Sequence, residues 1–162
     1  MQRAERDAAF TEFYAARVLA LRRLAYVITR DWHAAEDVTQ RALVKVYGAW
    51  PRIERGGLEA YTRRAVVNES LTHVSRRARD VVVESVPDRP APEPAAPLDL
   101  AAALATLPAQ QRAVIALRFV DDRSVTETAE ILGIAEGTVK SHTSKAITTL
   151  RQHAPTLTGG HP

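Results

Sequence analysis

The sequence predicts an all-α protein: two small helical domains joined by a Pro-rich linker. Three observations carry that prediction. Apolar residues recur at three- and four-residue steps in both halves of the chain, with no convincing period-two alternation. Five of the nine prolines crowd between Pro87 and Pro97, in VPDRPAPEPAAP, a run that can neither continue a helix nor pair in a sheet and reads as a semi-rigid connector. Helix punctuation (Asp31, Pro51, Gly56-Gly57, Pro108, Ser124, Gly133) falls between the periodic segments. The first domain is expected over 5–81, the linker over 82–98, the second domain over 99–153 and a disordered tail over 154–162.

In the first domain, Phe10, Phe13, Tyr14, Val18, Leu21, Leu24, Ala25 and Ile28 set one helix from about Glu5 to Ile28. Asp31 can cap a second that runs to Ala49, with Glu36 and Asp37 near its positive end. That helix has two apolar stripes, Val38-Ala42-Val46 and Leu43-Tyr47-Trp50, so its wide apolar face touches more than one neighbour. Asp37 and Gln40 lie on the same side as Leu43 and Tyr47. From the residues alone, Leu43, Tyr47 and Trp50 are read as internal core in preference to a surface for a partner helix. Pro51 ends the helix, and a third is expected from Leu58 to about Arg79.

The second domain begins with a short helix from Asp99 to Leu107, ended by Pro108, and a second from Ala109 to Val120. Asp121-Asp122-Arg123 is a turn. Ser124 opens SVTE, a capping box with Glu127 three residues on. Gly133 suits a left-handed helix end, and the last helix spans about Glu136 to Gln152.

Composition narrows the function classes. The chain has 162 residues, 46% hydrophobic and 25% charged, which is ordinary for a globular protein. It has no cysteine, which removes disulfide scaffolds, thiolate zinc sites and thiol catalysis. No apolar run reaches the ~18 residues of a membrane span, and Met1 to Phe10 lacks the apolar stretch of a secretory signal. The cytoplasm is the expected compartment. The five histidines show no paired metal spacing, and there is no Gly-rich phosphate loop or nucleophile elbow. No catalysis, cofactor or metal is expected. Net charge is +3, unevenly spread: residues 1–81 carry +5, residues 82–106 carry −3 and residues 107–162 carry +1. A basic front half suits nucleic acid, although charge alone fits a solvated surface at least as well.

The segment SVTETAEILGIAEGTVKSHTSKAITTL has the grammar of a helix-turn-helix. Ala129 allows close helix approach, Gly133 makes the turn, and Ile134 and Val139 fill the angle. Thr143, Ala146 and Leu150 continue the inner face. The outer face carries Thr138, Lys140, Ser141, His142 and Lys145, short polar and basic groups able to reach base edges and phosphates in a major groove. Residues 63–79 hold five arginines against one carboxylate, Glu69. Arg63, Arg64, Arg76 and Arg77 can pair phosphates, and the Asn68 amide can read a base edge. An Arg-rich solvated helix remains an alternative for Arg76, Arg77 and Arg79 individually.

With these motifs in hand, LPAQQRAVIALRFVDDRSVTETAEILGIAEGTVKSHTSKAITTL resembles region 4 of sigma-70-type factors, which reads the promoter −35 element. DWHAAEDVTQRALVKVYGAW resembles regions 2.1–2.2, and AYTRRAVVNESLTHVSRRAR resembles regions 2.3–2.4, which melt and read the −10 element. Region 2, a linker and region 4, over about residues 8–152, is similar to the extracytoplasmic-function (ECF) group and its SigE-type subgroup. The resemblance implies a specificity subunit of RNA polymerase. Asp37, Gln40 and Leu43 would meet the β′ clamp helices, leaving Tyr47 and Trp50 as core. Arg63, Arg64, Asn68, Arg76 and Arg77 would take −10 DNA, and Thr138, Lys140, Ser141, His142 and Lys145 would take −35 DNA. It further implies the β flap as a contact and an anti-sigma factor as a regulator. The chain departs from the family pattern at three places. His73 and Val74 stand where Trp or Tyr is often found, Ala135 where a Ser-like cap is usual, and His142-Thr143 where Arg-Leu is usual.

A stand-alone regulator of the LuxR type is the alternative, since GTVKSHTSKAI also resembles its recognition helix. It explains only the last third of the chain. A helical interaction protein that binds no nucleic acid is the third reading.

Overall fold

The computed structural model describes residues 2–53, 55–84 and 98–153, and among them there are seven α-helices and no strand. They are α1 (Arg3–Thr29), α2 (Trp32–Ala49), α3 (Leu58–Glu84), α4 (Leu98–Ala105), α5 (Ala109–Ile115), α6 (Val125–Leu132) and α7 (Glu136–His153). The tail at 154–162 and most of the linker lie outside the described residues. The linker's expected ends do not: residues 82–84 form the last turn of α3, five residues past the predicted helix end at Arg79, and Leu98 opens α4.

Helices α1, α2 and α3 pack against one another as a three-helix unit. The local reasons lie at the helix ends, of which the Asp31 cap was expected. Arg30 leaves α1 in a left-handed conformation (φ 63°), its N–H donating to Tyr26 O at 2.6 Å. Asp31 caps α2, accepting from the N–H groups of His33 at 2.9 Å and Ala34 at 3.3 Å. Leu21, Leu24 and Ile28 of α1, Val38 and Leu43 of α2, and Val66 and Val67 of α3 fill the interior. Phe10, Tyr47 and Trp50 close one end edge to face, with ring centroids 5.2 and 5.5 Å from Phe10.

In the second half, α4, α5 and α6 all pack on α7. The capping box forms as read: Ser124 Oγ accepts from Glu127 N, and the Glu127 carboxylate accepts from Ser124 N, both at 3.0 Å. Gly133 sits at φ 67°, which permits the tight turn into α7. Val114, Ala129 and Val139 pack in the angle of the helix-turn-helix, with Ile134 against them. After α5, residues Ala116–Val120 form a π-turn, which widens the helix by one residue and swings Asp121 towards α3.

The two halves are not separate in this arrangement. Ala113, Ala116, Leu117 and Ile131 of the second half belong to the same buried cluster as Leu21, Leu24, Val66 and Val67 of the first. Helix α6 lies on α3, and α5 with its π-turn lies on α1. Nothing in the hydrophobic period distinguishes an apolar stripe that faces its own domain from one that faces the other.

Candidate polymerase and nucleic-acid surfaces

On α2 the exposed face carries Asp37, Gln40 and Val44. Asp37 is paired with Arg41 one turn on, at 2.6 Å. The Gln40 amide donates to Tyr14 Oη at 2.6 Å, which holds it over α1. Leu43 requires a correction: it is 2% exposed and packs in the interior, so it does not present itself to a partner. The apolar residue on that face is Val44, 69% exposed. Its spacing of seven from Asp37 and four from Gln40 is the signal in the sequence, which the stripe that Leu43 completes obscures. Tyr47 and Trp50 are half-buried core aromatics, as expected. The Tyr47 hydroxyl donates to Asp7 at 2.5 Å.

On α3 the five arginines divide into two sets. Arg76, Arg77 and Arg79 are exposed, and no described carboxylate pairs with them. Asp80, next to them in sequence, is exposed too, and Glu69 is taken by Lys45 of α2. Asn68 is exposed beside it. Arg63 is different: it is 6% exposed, lies between Glu59 and Asp121, and is therefore not presented to solvent as expected. Arg64 is exposed, yet its guanidinium reaches across to the carbonyl of Glu130 on α6 at 3.2 Å.

Arg63 is the centre of a continuous ladder of alternating charge. Arg17 of α1 donates to Glu59 at 2.6 Å, Glu59 meets Arg63, Arg63 meets Asp121, Asp121 meets Arg123 at 3.4 Å, and Arg123 meets Glu127 of the capping box at 3.3 Å. Burial works against the charge on Arg63, but Asp121 and Glu59 outweigh it and hold its pKa above the ordinary value. Burial likewise works against the Glu59 carboxylate, and hydrogen bonds from Arg63 and Arg17 outweigh it and hold its pKa below the ordinary 4.5. The Glu127 carboxylate is lowered first by the Ser124 N–H, then by the Ser124 side chain. Arg112, buried in the same seam, pairs with no carboxylate among the described residues. Its guanidinium donates to Ile28 O at 2.9 Å and Leu107 O at 2.6 Å, and burial, with the charge of Arg30 adding, pushes its pKa down to about 10.

On α7, Thr138, Lys140, Ser141 and Lys145 are exposed on one face, while Val139 and Ala146 point inward. His142 is half-buried, and its Nδ1 is buried without a partner among the described residues. Thr143 is half-buried and returns its hydroxyl to Val139 O at 2.8 Å, so it satisfies itself within the helix. Ala135 receives the first helical N–H groups on its carbonyl, from Thr138 at 3.0 Å and Val139 at 3.1 Å, and its methyl offers no side-chain cap. Among the described residues no cluster of His, Asp and Glu is arranged to hold a metal ion, and no helix is long and apolar enough to cross a membrane.

Two family models match this chain: sigma-70 region 2 over residues 13–80 and sigma-70 region 4 over residues 98–150. An RNA polymerase sigma-E factor of Streptomyces coelicolor is 36% identical over 149 residues, covering 88% of this chain and 84% of its own. The chain belongs to the sigma-70 family. Within it, the relatives place this sigma factor in the ECF group. The ECF sigma factor SigM of Mycobacterium tuberculosis is 32% identical over 144 residues, covering 85% of this chain and 73% of its own. The sigma factor RpoE of Bartonella quintana, solved in complex with the anti-sigma factor NepR, superposes with a TM-score of 0.74 at 30% identity, over 89% of this chain and 95% of that one. CnrH, solved with the cytosolic domain of CnrY, has the same fold at a TM-score of 0.68 and 21% identity. The region 2 match covers the part of the chain that a stand-alone regulator of the LuxR type leaves unexplained.

Proposed function

We propose a division of labour between the two halves of this sigma factor. As a sigma-70 protein of the ECF group, it binds core RNA polymerase and promoter DNA and directs promoter-specific initiation. The α2 face of Asp37, Gln40 and Val44 docks on the polymerase clamp helices: Val44 supplies apolar area, and Gln40, held by Tyr14, supplies a positioned amide. The open end of α3, with Asn68, Arg76 and Arg77, takes the separated −10 strand, where unstacking a base costs a few kcal/mol that phosphate and base-edge contacts offset. The α7 face of Thr138, Lys140, Ser141, His142 and Lys145 enters the −35 major groove. One observation supports the −10 assignment: Arg76, Arg77 and Arg79 are exposed and pair with no described carboxylate. An anti-sigma factor is the regulatory partner we propose, by likeness to RpoE, and the cytoplasm, where the polymerase works, is the compartment.

Run-off transcription with core polymerase tests these roles. Gln40→Ala should weaken core binding several-fold. Asn68→Ala should leave core binding intact and lose promoter opening. If both variants transcribe like the parent, the two assignments fail.

A further inference from the structure

Between α1 and the connection from α2 to α3 lies a cleft of about 690 Å³. Its shape follows from the residues. Ala9 and Ala16 stand two turns apart on one face of α1 and are too small to fill the space. Opposite them, Pro51 stops α2, and the short helical turn Trp50–Arg52 redirects the chain before α3 begins at Leu58. Trp50, Ile53 and Leu58 make that wall, and Phe13 meets Trp50 edge to face with ring centroids 5.6 Å apart. A mostly apolar lining with a few polar groups, and a volume of roughly 300–1,000 Å³, is the usual form of a small-molecule site. The clefts beside Val44 and beside Lys140 belong to the faces already read as polymerase and DNA surfaces, and this one shares no residue with them.

The polar groups of the cleft select the chemistry of its ligand. Arg17 lies over the Phe13 ring, its Cζ 5.7 Å from the centroid, and its Nε donates to Glu59 at 2.6 Å, so its charge is balanced within the chain. Arg6 differs, because no described carboxylate pairs with it. Its Cζ stands 5.1 Å from the centre of the Tyr47 ring, and its Nη2 donates to Tyr47 Oη at 3.4 Å. Its Nε is buried and has no partner among the described residues. A buried N–H calls for an acceptor, and a guanidinium pairs a carboxylate through parallel bonds that a neutral acceptor does not match. Glu12 also lines the cleft and is exposed. Its negative charge opposes a phosphate dianion more than a monoanion.

We propose that this cleft binds a small organic acid, with the apolar body against Phe13 and Trp50 and the carboxylate on Arg6. Such a ligand ties α1 to the segment that leads into α3. The polymerase and DNA faces contribute no side chain to it, so it stands apart from the roles given to them.

The chain has two tryptophans, and they supply a reporter and its control. Trp50 lines the cleft, whereas Trp32 opens α2 at the other end, roughly 27 Å away at 1.5 Å per residue. Proton–nitrogen correlation spectra of the isotope-labelled full chain are followed during titration with naphthylacetate, and separately with naphthylacetamide, which has the same shape without the charge. Naphthylacetate should move the Trp50 indole signal and the Ala9 and Ala16 amides, with a Kd of about 1 mM or below, as befits a ligand of this size. The Trp32 indole should stay in place. Naphthylacetamide should bind about tenfold more weakly. Arg6→Met, which keeps the bulk of the stem, should bring the affinity for the acid down to that for the amide and leave the amide unchanged. Ala9→Leu, which fills the floor and keeps Arg6, should abolish both.

The comparison of acid with amide needs only the parent chain, so it decides the matter whatever the variants do to folding. A Trp50 signal that neither compound moves overturns the proposal. So do equal affinities for acid and amide, Trp32 and Trp50 signals that move together, or a preference for the acid that survives in folded Arg6→Met.

Discussion

Helices α3 and α7 are both basic, and both are read as DNA-facing, but they are held in opposite ways. The exposed face of α7 is set by its neighbours in sequence: the Ser124–Glu127 box, the Gly133 turn and the Val139–Ala129 contact all lie within about one helix-turn-helix unit. The first half of α3 is set by residues some sixty positions away, through Arg63–Asp121 and Arg64–Glu130 O. A recognition face that depends on local contacts is ready whenever its domain folds. One that depends on distant contacts is in place only when the two halves pack together. The two buried arginines of the seam sharpen the point. Arg63 has two carboxylates and is held charged, whereas Arg112 has only carbonyls and is pushed down to about 10. A buried charge satisfied by carbonyls alone keeps part of its desolvation cost.

Three changes break or sharpen this contrast. The largest effect is expected from Leu117→Ala, which removes a fully buried side chain from the cluster that joins the halves. It should cost about 3 kcal/mol in denaturant unfolding. A loss below ~1 kcal/mol would mean that the cluster is not the principal tie between α1, α3 and α5. Next, Ser124→Ala should cost about 1 kcal/mol and should loosen α6 and the turn into α7, read as faster amide exchange there. If exchange rises equally in α2, the helix-turn-helix is not the locally held unit described.

The smallest effect is on acidification. The Glu59 carboxylate is lowered in the folded state, so its contribution to stability is complete above its ordinary value of 4.5 and is lost as pH falls through the lower folded value. Because Glu59 keeps 40% of its side-chain exposure, solvent screens the effect. Glu59→Gln should flatten the dependence of the unfolding midpoint on the acid side of the ordinary value of 4.5, and an unchanged slope would remove Glu59 from the working part of the ladder.

Most of the helical framework was legible in the residues. Asp31, Pro51, Ser124 and Gly133 end or begin helices for reasons that act within a few residues, and each does so in the structure. The exposed row of α7 was legible too, because a 3.6-residue period assigns each side chain to a face. Legibility stopped where a face had to be assigned to a particular neighbour. Leu43 and Val44 are adjacent and both apolar, and only packing distinguishes the buried one from the exposed one. Arg63 looks like Arg76 in sequence, with a carboxylate one turn away in each case, and it is Asp121, 58 residues away, that the sequence does not reveal.

By itself, then, the sequence determined that the chain is helical, where its turns fall, that it carries region 2 and region 4 of a sigma-70 factor in order, and that it has no thiol chemistry. The helices and turns follow from backbone preferences and periodicities that are settled locally, and the two regions from the resemblance of their motifs. Only the tertiary structure decided that the two halves share a buried cluster, that a single ladder of charges runs from Arg17 to Glu127, and that Arg63 is engaged within the chain. Such pairings join residues far apart in the chain, and their choice depends on which surfaces exclude water from one another.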